Sequence, residues 1–314
     1  MSLLQQRLAR LRAEYGFAFP DDLLAVWQFA CRVRPLEPLA AFADVLGVHL
    51  VGPFEVLSGR FDGRVPRHSL LLHWRYYLDP PEFFTVFAGD SDGLHWGYWL
   101  DDPARPETAC VASYYARDAV EISVDGDSLF EALRLHLEFL YADNDLDAEY
   151  GHLTADEARE RREQYARMRD RLKSVATSER PEEGDAYTDR YAGQAARNDA
   201  VVAPTPEGMG IVVPPHQYQK LPTSYRALVK KLRHAPDWQE PVRQARALLA
   251  DKPGTALQVG KILWTCLGEE KQKAAGELLQ AAYAALERET LCRVLQTHLA
   301  CRDLPHVDIL ADET

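Results

Sequence analysis

The chain has 314 residues, a formal net charge of −12, and 46% apolar against 27% charged side chains. This composition suffices for a full core and excludes a disordered chain, while the acidic balance excludes a general nucleic-acid binder, which needs Lys and Arg clustered against phosphate. The five cysteines are scattered without paired or Cys/His spacing, which argues against a disulfide framework or a zinc site, and no apolar run is long enough for a membrane helix.

Reduced thiols and an N-terminus without a signal-peptide core point to an intracellular protein, nuclear in a eukaryote and cytoplasmic in a bacterium. Leu3, Leu4, Leu8 and Leu11 place one helical stripe over residues 2–15. Pro20-Asp21-Asp22 opens a second helix with Leu23, Leu24, Val26, Trp27 and Phe29 on its buried face. A third, short helix runs from Pro38 to Leu46 and stops at Gly47.

From Val48 the pattern turns to strands. His49 to Phe54 reads as a short strand broken by Gly-Pro, and Ser58 to Arg67 as a loop. Leu70 to Tyr77 is aromatic-rich and reads as a strand halted by Pro80-Pro81. Phe84–Ala88 and His95–Leu100 flank the turn Asp90-Ser91-Asp92-Gly93 as a hairpin. Ala109–Tyr115 and Val120–Val124 add two more strands. Ser128 caps a helix from Leu129 to about Tyr141.

Residues 154–173 form a charged helix with a capping-box start and a solvated face; residues 174–200 read as a linker or ordered loop. Gly208 to Pro215 reads as a short strand ended by prolines. Helices follow at Ser224–Arg233, Trp238–Ala250, Thr255–Leu267, Glu270–Glu289 and Leu291–Cys301. The fold class is therefore α+β: an antiparallel-sheet scaffold with flanking helices over residues 1–150, a charged helix and linker over 151–200, and a mainly α region over 201–314.

Little chemistry stands out. His73 and His95 read as core or sheet-face histidines before they read as a metal pair, because no third ligand has recognisable spacing. The aromatics Trp74, Tyr76, Tyr77, Trp96, Tyr98 and Trp99 read as packing.

Several blocks resemble the histone PARylation factor family: Leu46-Gly47-Val48-His49-Leu50-Val51-Gly52-Pro53-Phe54, then His73-Trp74-Arg75-Tyr76-Tyr77-Leu78-Asp79-Pro80-Pro81-Glu82-Phe83. Gly210-Ile211-Val212-Val213-Pro214 and His298-Leu299-Ala300-Cys301-Arg302 continue the likeness, which spans about Tyr15 to Arg302. The family's basic N-terminal tail has no counterpart here, as expected of a minimal or diverged relative. The resemblance implies an accessory factor rather than a self-sufficient enzyme. It docks on a poly(ADP-ribose) polymerase-like ADP-ribosyltransferase, and it lends a carboxylate as general base for a serine of a histone or other protein. NAD is held by the transferase, and the factor needs no cofactor of its own, no metal, no direct nucleic acid and no membrane.

Carried over residue by residue, the family's Tyr-Arg before Glu-Leu-Pro becomes Tyr218-Gln219 before Lys220-Leu221-Pro222. Arg226 is the replacement cation on offer, against its ordinary reading as a solvated arginine at a helix start. The family's Asp-Glu pair falls at Asp251, the candidate base, with Lys252 where the glutamate would stand. The alternative is a non-catalytic interaction module: the N-terminal half is also loosely similar to the Smi1/Knr4 superfamily, whose members bind partners without catalysis.

Overall fold

The computed structural model describes residues 2–118, 120–175 and 197–311. The first helix, α1 (Leu3–Tyr15), opens on a reciprocal cap between Ser2 and Gln5 and ends at Gly16 in the left-handed region. The second, α2 (Asp22–Val33), carries Leu23, Val26, Trp27, Phe29 and Ala30 into the core. The predicted third helix is a 3-10 turn at Pro38–Ala40 followed by one turn of α3 (Ala43–Leu46), closed by Gly47.

Five strands form an antiparallel meander in chain order: β1 (Val48–Leu50), β2 (Phe83–Gly89), β3 (Leu94–Trp99), β4 (Cys110–Tyr115) and β5 (Ser123–Gly126). The α+β expectation holds. In register, Phe83 faces Trp99 and Ala88 faces His95, so the predicted hairpin is the centre of the sheet. Alternation sends Phe84, Val86, Trp96, Tyr98 and Val111 to the main core. Phe83, Trp99, Ala112, Tyr114 and Val124 go to a second cluster closed by Met209.

Two expectations are overturned between β1 and β2. A helix, α4 (Pro53–Ser58), replaces the second half of the predicted strand. Its start needs Gly52 at φ 60°, where a side chain would run into the Thr85 carbonyl, and Glu55 turns back to accept from the Gly52 N–H. The aromatic stretch after it is no strand either. Leu70–Leu72 is a 3-10 turn, and residues 73–82 follow as turns with Trp74 at φ 58°.

The reason is that His73, Trp74, Arg75 and Asp79 of this stretch are claimed by partners that fix its backbone. Glu55 accepts from the indole of Trp74 and pairs with His73 and Arg60. Arg75 donates to the carbonyls of Leu71, Pro80 and Phe83, closing the segment on itself. Asp79 accepts from the Tyr76 N–H and the Tyr114 hydroxyl and contacts His95. Burial alone would raise the Asp79 pKa, but His95, Arg75 and Tyr114 outweigh it and hold the carboxyl below its ordinary value.

The helix expected to end near Tyr141 runs further, as α5 (Leu129–Glu149). Its extra turns pack against α6 (Ala155–Lys173), with Asn144 donating to the Ala158 carbonyl and Arg162 paired with Asp145. Asp22 ties α2 to this layer, accepting from the Tyr98 hydroxyl and from the Leu129 N–H at the start of α5. Of the predicted linker, residues 176–196 lie outside the described residues.

The expected strand at Gly208–Pro215 is only a single bridge between Ala203 and Ile211, because Gly208 and Gly210 turn the chain at positive φ. Five helices follow as predicted: α7 (Tyr225–His234), α8 (Gln239–Leu248), α9 (Pro253–Trp264), α10 (Glu269–Ala285) and α11 (Glu289–Ala300). One apolar cluster takes in Leu11 of α1, the inner sheet face, α9 to α11 and Leu310. Past α11 the chain returns as a strap. The Val307 carbonyl accepts from the Trp74 N–H, Asp308 pairs with Arg60, and Ile309 and Leu310 are buried.

Candidate functional site

Helix α9 organises the region where the candidate residues fall. Every one of its residues is buried, so its polar side chains must find partners inside the protein. Thr255, Gln258 and Lys261 lie one turn apart and form a polar stripe on an otherwise apolar helix.

Thr255 holds the loop that precedes α7. Its Oγ1 accepts from the Gln219 N–H at 3.0 Å and donates to the Gln219 carbonyl at 2.7 Å. Gln258 accepts from the Tyr218 hydroxyl at 3.1 Å and donates to the Pro204 carbonyl at 2.9 Å. Gly254 lets this loop lie flat on the helix start, since a Cβ there would stand 2.8 Å from Val213 and 3.1 Å from the Gln217 carbonyl. Burial pushes the Tyr218 phenol above its ordinary value.

Asp251 sits in the turn between α8 and α9, exposed, its N–H donating to the Leu248 carbonyl. Its carboxylate makes no hydrogen bond or ion pair among the described residues. Lys252 caps α9 with its backbone, and its ammonium donates to the His216 carbonyl at 2.6 Å. Tyr218, Gln219, Asp251 and Lys252 are thus gathered at one helix start, where Lys252 acts as a tether between the two segments. Arg226 is exposed on the first turn of α7 and, among the described residues, makes no hydrogen bond or ion pair with Tyr218, Asp251 or Lys252.

The third polar residue, Lys261, lies deeper. Its ammonium stands 2.9 Å from Glu82 and 3.3 Å from Glu207, over the Trp99 ring, and Glu82 also accepts from the Tyr283 hydroxyl. Burial works to lower the Lys261 pKa, but the two glutamates override it and hold the lysine above its ordinary value. Glu82 closes the aromatic motif of the N-terminal half, so this cluster joins sheet and helices. Thr255 and Gln258 were not singled out from sequence, although three polar residues at helical spacing in an apolar run were there to be read. Among the described residues no set of His, Cys, Asp and Glu is grouped to hold a metal.

Replacing Thr255 by valine leaves the Gln219 N–H and carbonyl without partners at nearly constant volume. The expected cost is about 1–3 kcal/mol, with faster hydrogen exchange at the Gln219 amide than elsewhere. Unchanged exchange there would show that Thr255 does not hold the loop.

Comparison with known proteins decides the family. A family model described as histone PARylation factor 1 matches residues 5–247. This chain belongs to the histone PARylation factor family. Relatives named histone PARylation factor 1 include those of Mus musculus (27% identical over 95% of this chain and 87% of the relative), Bos taurus (28%, 96% and 88%) and Danio rerio (29%, 95% and 86%). The family match covers the sheet, the aromatic motif and the Tyr218 loop, and it ends four residues before Asp251. Among the described residues, no helix of this family member is long and apolar enough to cross a membrane.

Proposed function

We propose that the chain is an accessory factor that binds an ADP-ribosyltransferase of the poly(ADP-ribose) polymerase type and completes a joint active site with it. Asp251 takes the proton from a serine hydroxyl of a histone or other protein substrate, and the transferase holds NAD. In a eukaryote this places the factor in the nucleus with its substrate. The observation that carries the reading is the exposed, unpartnered Asp251 carboxylate at the helix start that also anchors Tyr218. A serine hydroxyl is a weak nucleophile and needs a base within hydrogen-bond reach. An accessible carboxylate in the turn that leads into a fully buried helix offers that acceptor to a hydroxyl presented by another molecule.

A second reading, a binding module without catalysis, is favoured by two observations. The family match stops short of Asp251, and a lysine follows it. One experiment separates the two. The full chain is mixed with such a transferase, NAD and a serine-bearing peptide, and serine-linked product is measured beside complex formation. The joint-site reading expects product to fall by roughly 10²-fold or more in Asp251→Ala with complex formation intact. Complex formation with no serine-linked product beyond that of the transferase alone leaves the binding module; product undiminished by the substitution removes Asp251 as the base; no complex with any transferase overturns both.

A further inference from the structure

A cavity of about 280 Å³ opens between the aromatic motif, the end of α11 and the strap, lined by Leu72, Arg75, Tyr77, His298, Arg302 and Val307 among others. It lies at the end of α9 away from Tyr218 and Asp251, since Arg302 packs on Trp264, the last residue of that helix.

Its cations are unusual. The Arg302 guanidinium is clamped between two rings, 4.2 Å from the centroid of Tyr77 and 3.8 Å from that of Trp264. Its Nε donates to the Tyr77 carbonyl at 2.8 Å, while Nη1 is buried with no partner. Arg75 spends all three nitrogens on backbone carbonyls. Neither guanidinium has a carboxylate within ion-pair distance among the described residues; Asp303, which also lines the cavity, is exposed and not paired with either. His298 is 2% exposed, and its Nδ1 is a second buried nitrogen without a partner. Burial first, then Arg75 and Arg302, drive its pKa down to about 3, so the ring is neutral.

Buried cations in folded proteins are ordinarily paired. Here two half-buried guanidiniums sharing one cavity are held in place by rings and carbonyls; Asp79 lies near Arg75 and Asp303 near Arg302, yet neither acid makes a direct ion pair with them. A preorganised guanidinium recognises the oxygens of carboxylate and phosphate, which match its fork of donors. The volume exceeds that of a bare ion and approaches the lower range of small-molecule pockets, about 300 Å³.

We propose that this cavity is a binding site for a small organic oxyanion, with Arg302 and Arg75 supplying the charge and Leu72 and Val307 the apolar wall. The proposal is independent of the joint-site reading, because it involves neither Asp251 nor a transferase. The anionic group is a carboxylate or a phosphate ester, and the test separates them. Inorganic phosphate and acetate are titrated separately into the ¹⁵N-labelled full chain at constant ionic strength, following the Trp264 indole N–H, which reports on Arg302. Saturable shifts are expected with a Kd of about 1 mM or tighter, from phosphate alone for a phosphorylated ligand and from acetate for a carboxylate. Arg302→Gln is expected to weaken binding at least about tenfold, and Arg302→Lys to recover part of it. If Arg302→Gln does not fold, Val307→Glu, which sets a carboxylate in the cavity wall beside the guanidiniums, serves as the second variant and is expected to abolish saturable binding. Non-saturating shifts with both anions, or binding undiminished by substitution, overturn the site.

Discussion

Replacing Lys261 by methionine is expected to cost about 3–5 kcal/mol of stability, the usual result of removing one partner from a buried ion pair. The side chains of Glu82 and Glu207 are 1% and 6% exposed, and both rely on this one ammonium. Without it, two carboxylates remain in a low-dielectric interior, with one Glu82 oxygen, Oε2, already lacking a hydrogen bond. The loss is read from urea unfolding of the full chain. A further result follows from the same charges. The triple variant Lys261→Met, Glu82→Gln, Glu207→Gln should regain much of the loss, since its amides carry no charge to desolvate. A loss within about 0.5 kcal/mol for Lys261→Met would mean that the cluster contributes nothing to joining sheet and helices.

The second large effect is a fall in stability as the pH drops below neutrality, carried by His298. Its folded pKa of about 3 lies below the ordinary 6.5, so between those values the unfolded chain binds a proton that the folded chain refuses. Stability from this residue is therefore complete above 6.5 and drains as the pH falls toward about 3. The slope approaches about 1.4 kcal/mol per pH unit. His136, also lowered by burial, acts in the same direction. Asp79, Asp101 and Asp308, held below the ordinary aspartate value by their partners, lose their contribution only under more acid conditions. Asp22, raised by burial, acts the opposite way. Between pH 6.5 and about pH 4.5, the wild-type chain should lose roughly 2–3 kcal/mol more than His298→Phe. Parallel pH profiles for the two proteins would show that the imidazole is not kept neutral by its surroundings.

What could be read from sequence followed the range of the interactions. The β2–β3 hairpin was legible because its signals are local, an alternating pattern on each side of Asp90-Ser91-Asp92-Gly93. The helices of the second half were legible through their apolar stripes. Residues 70–77 were misread because their aromatic content favours a strand, whereas their backbone is set by side-chain partners. His73 and Trp74 answer to Glu55, Asp79 answers to His95 and Tyr114, and Glu82 answers to Lys261 and Tyr283. No window of local sequence contains those pairs, and tertiary demand overrode propensity. At the candidate site, Tyr218, Gln219, Asp251 and Lys252 were found through family likeness and do meet at one helix start. Arg226 does not join them. Thr255 and Gln258, which fix the loop, carry no motif and were visible only as polar breaks in an apolar helix.

The strap has a consequence for the order in which the newborn chain can settle. Asp308 reaches back to Arg60 across 248 residues, and Tyr283 to Glu82 across 201. At a synthesis rate of about 5–20 residues per second, the early part of the sheet waits on the order of 10–50 s for the partners of its buried charges to leave the ribosome. During that interval Glu82 has no ammonium beside it, and the Trp74 N–H has no Val307 carbonyl. The N-terminal half emerges first and consolidates last, so shortening the chain at its end should be felt at the opposite end of the sequence, as prolonged dependence on chaperones.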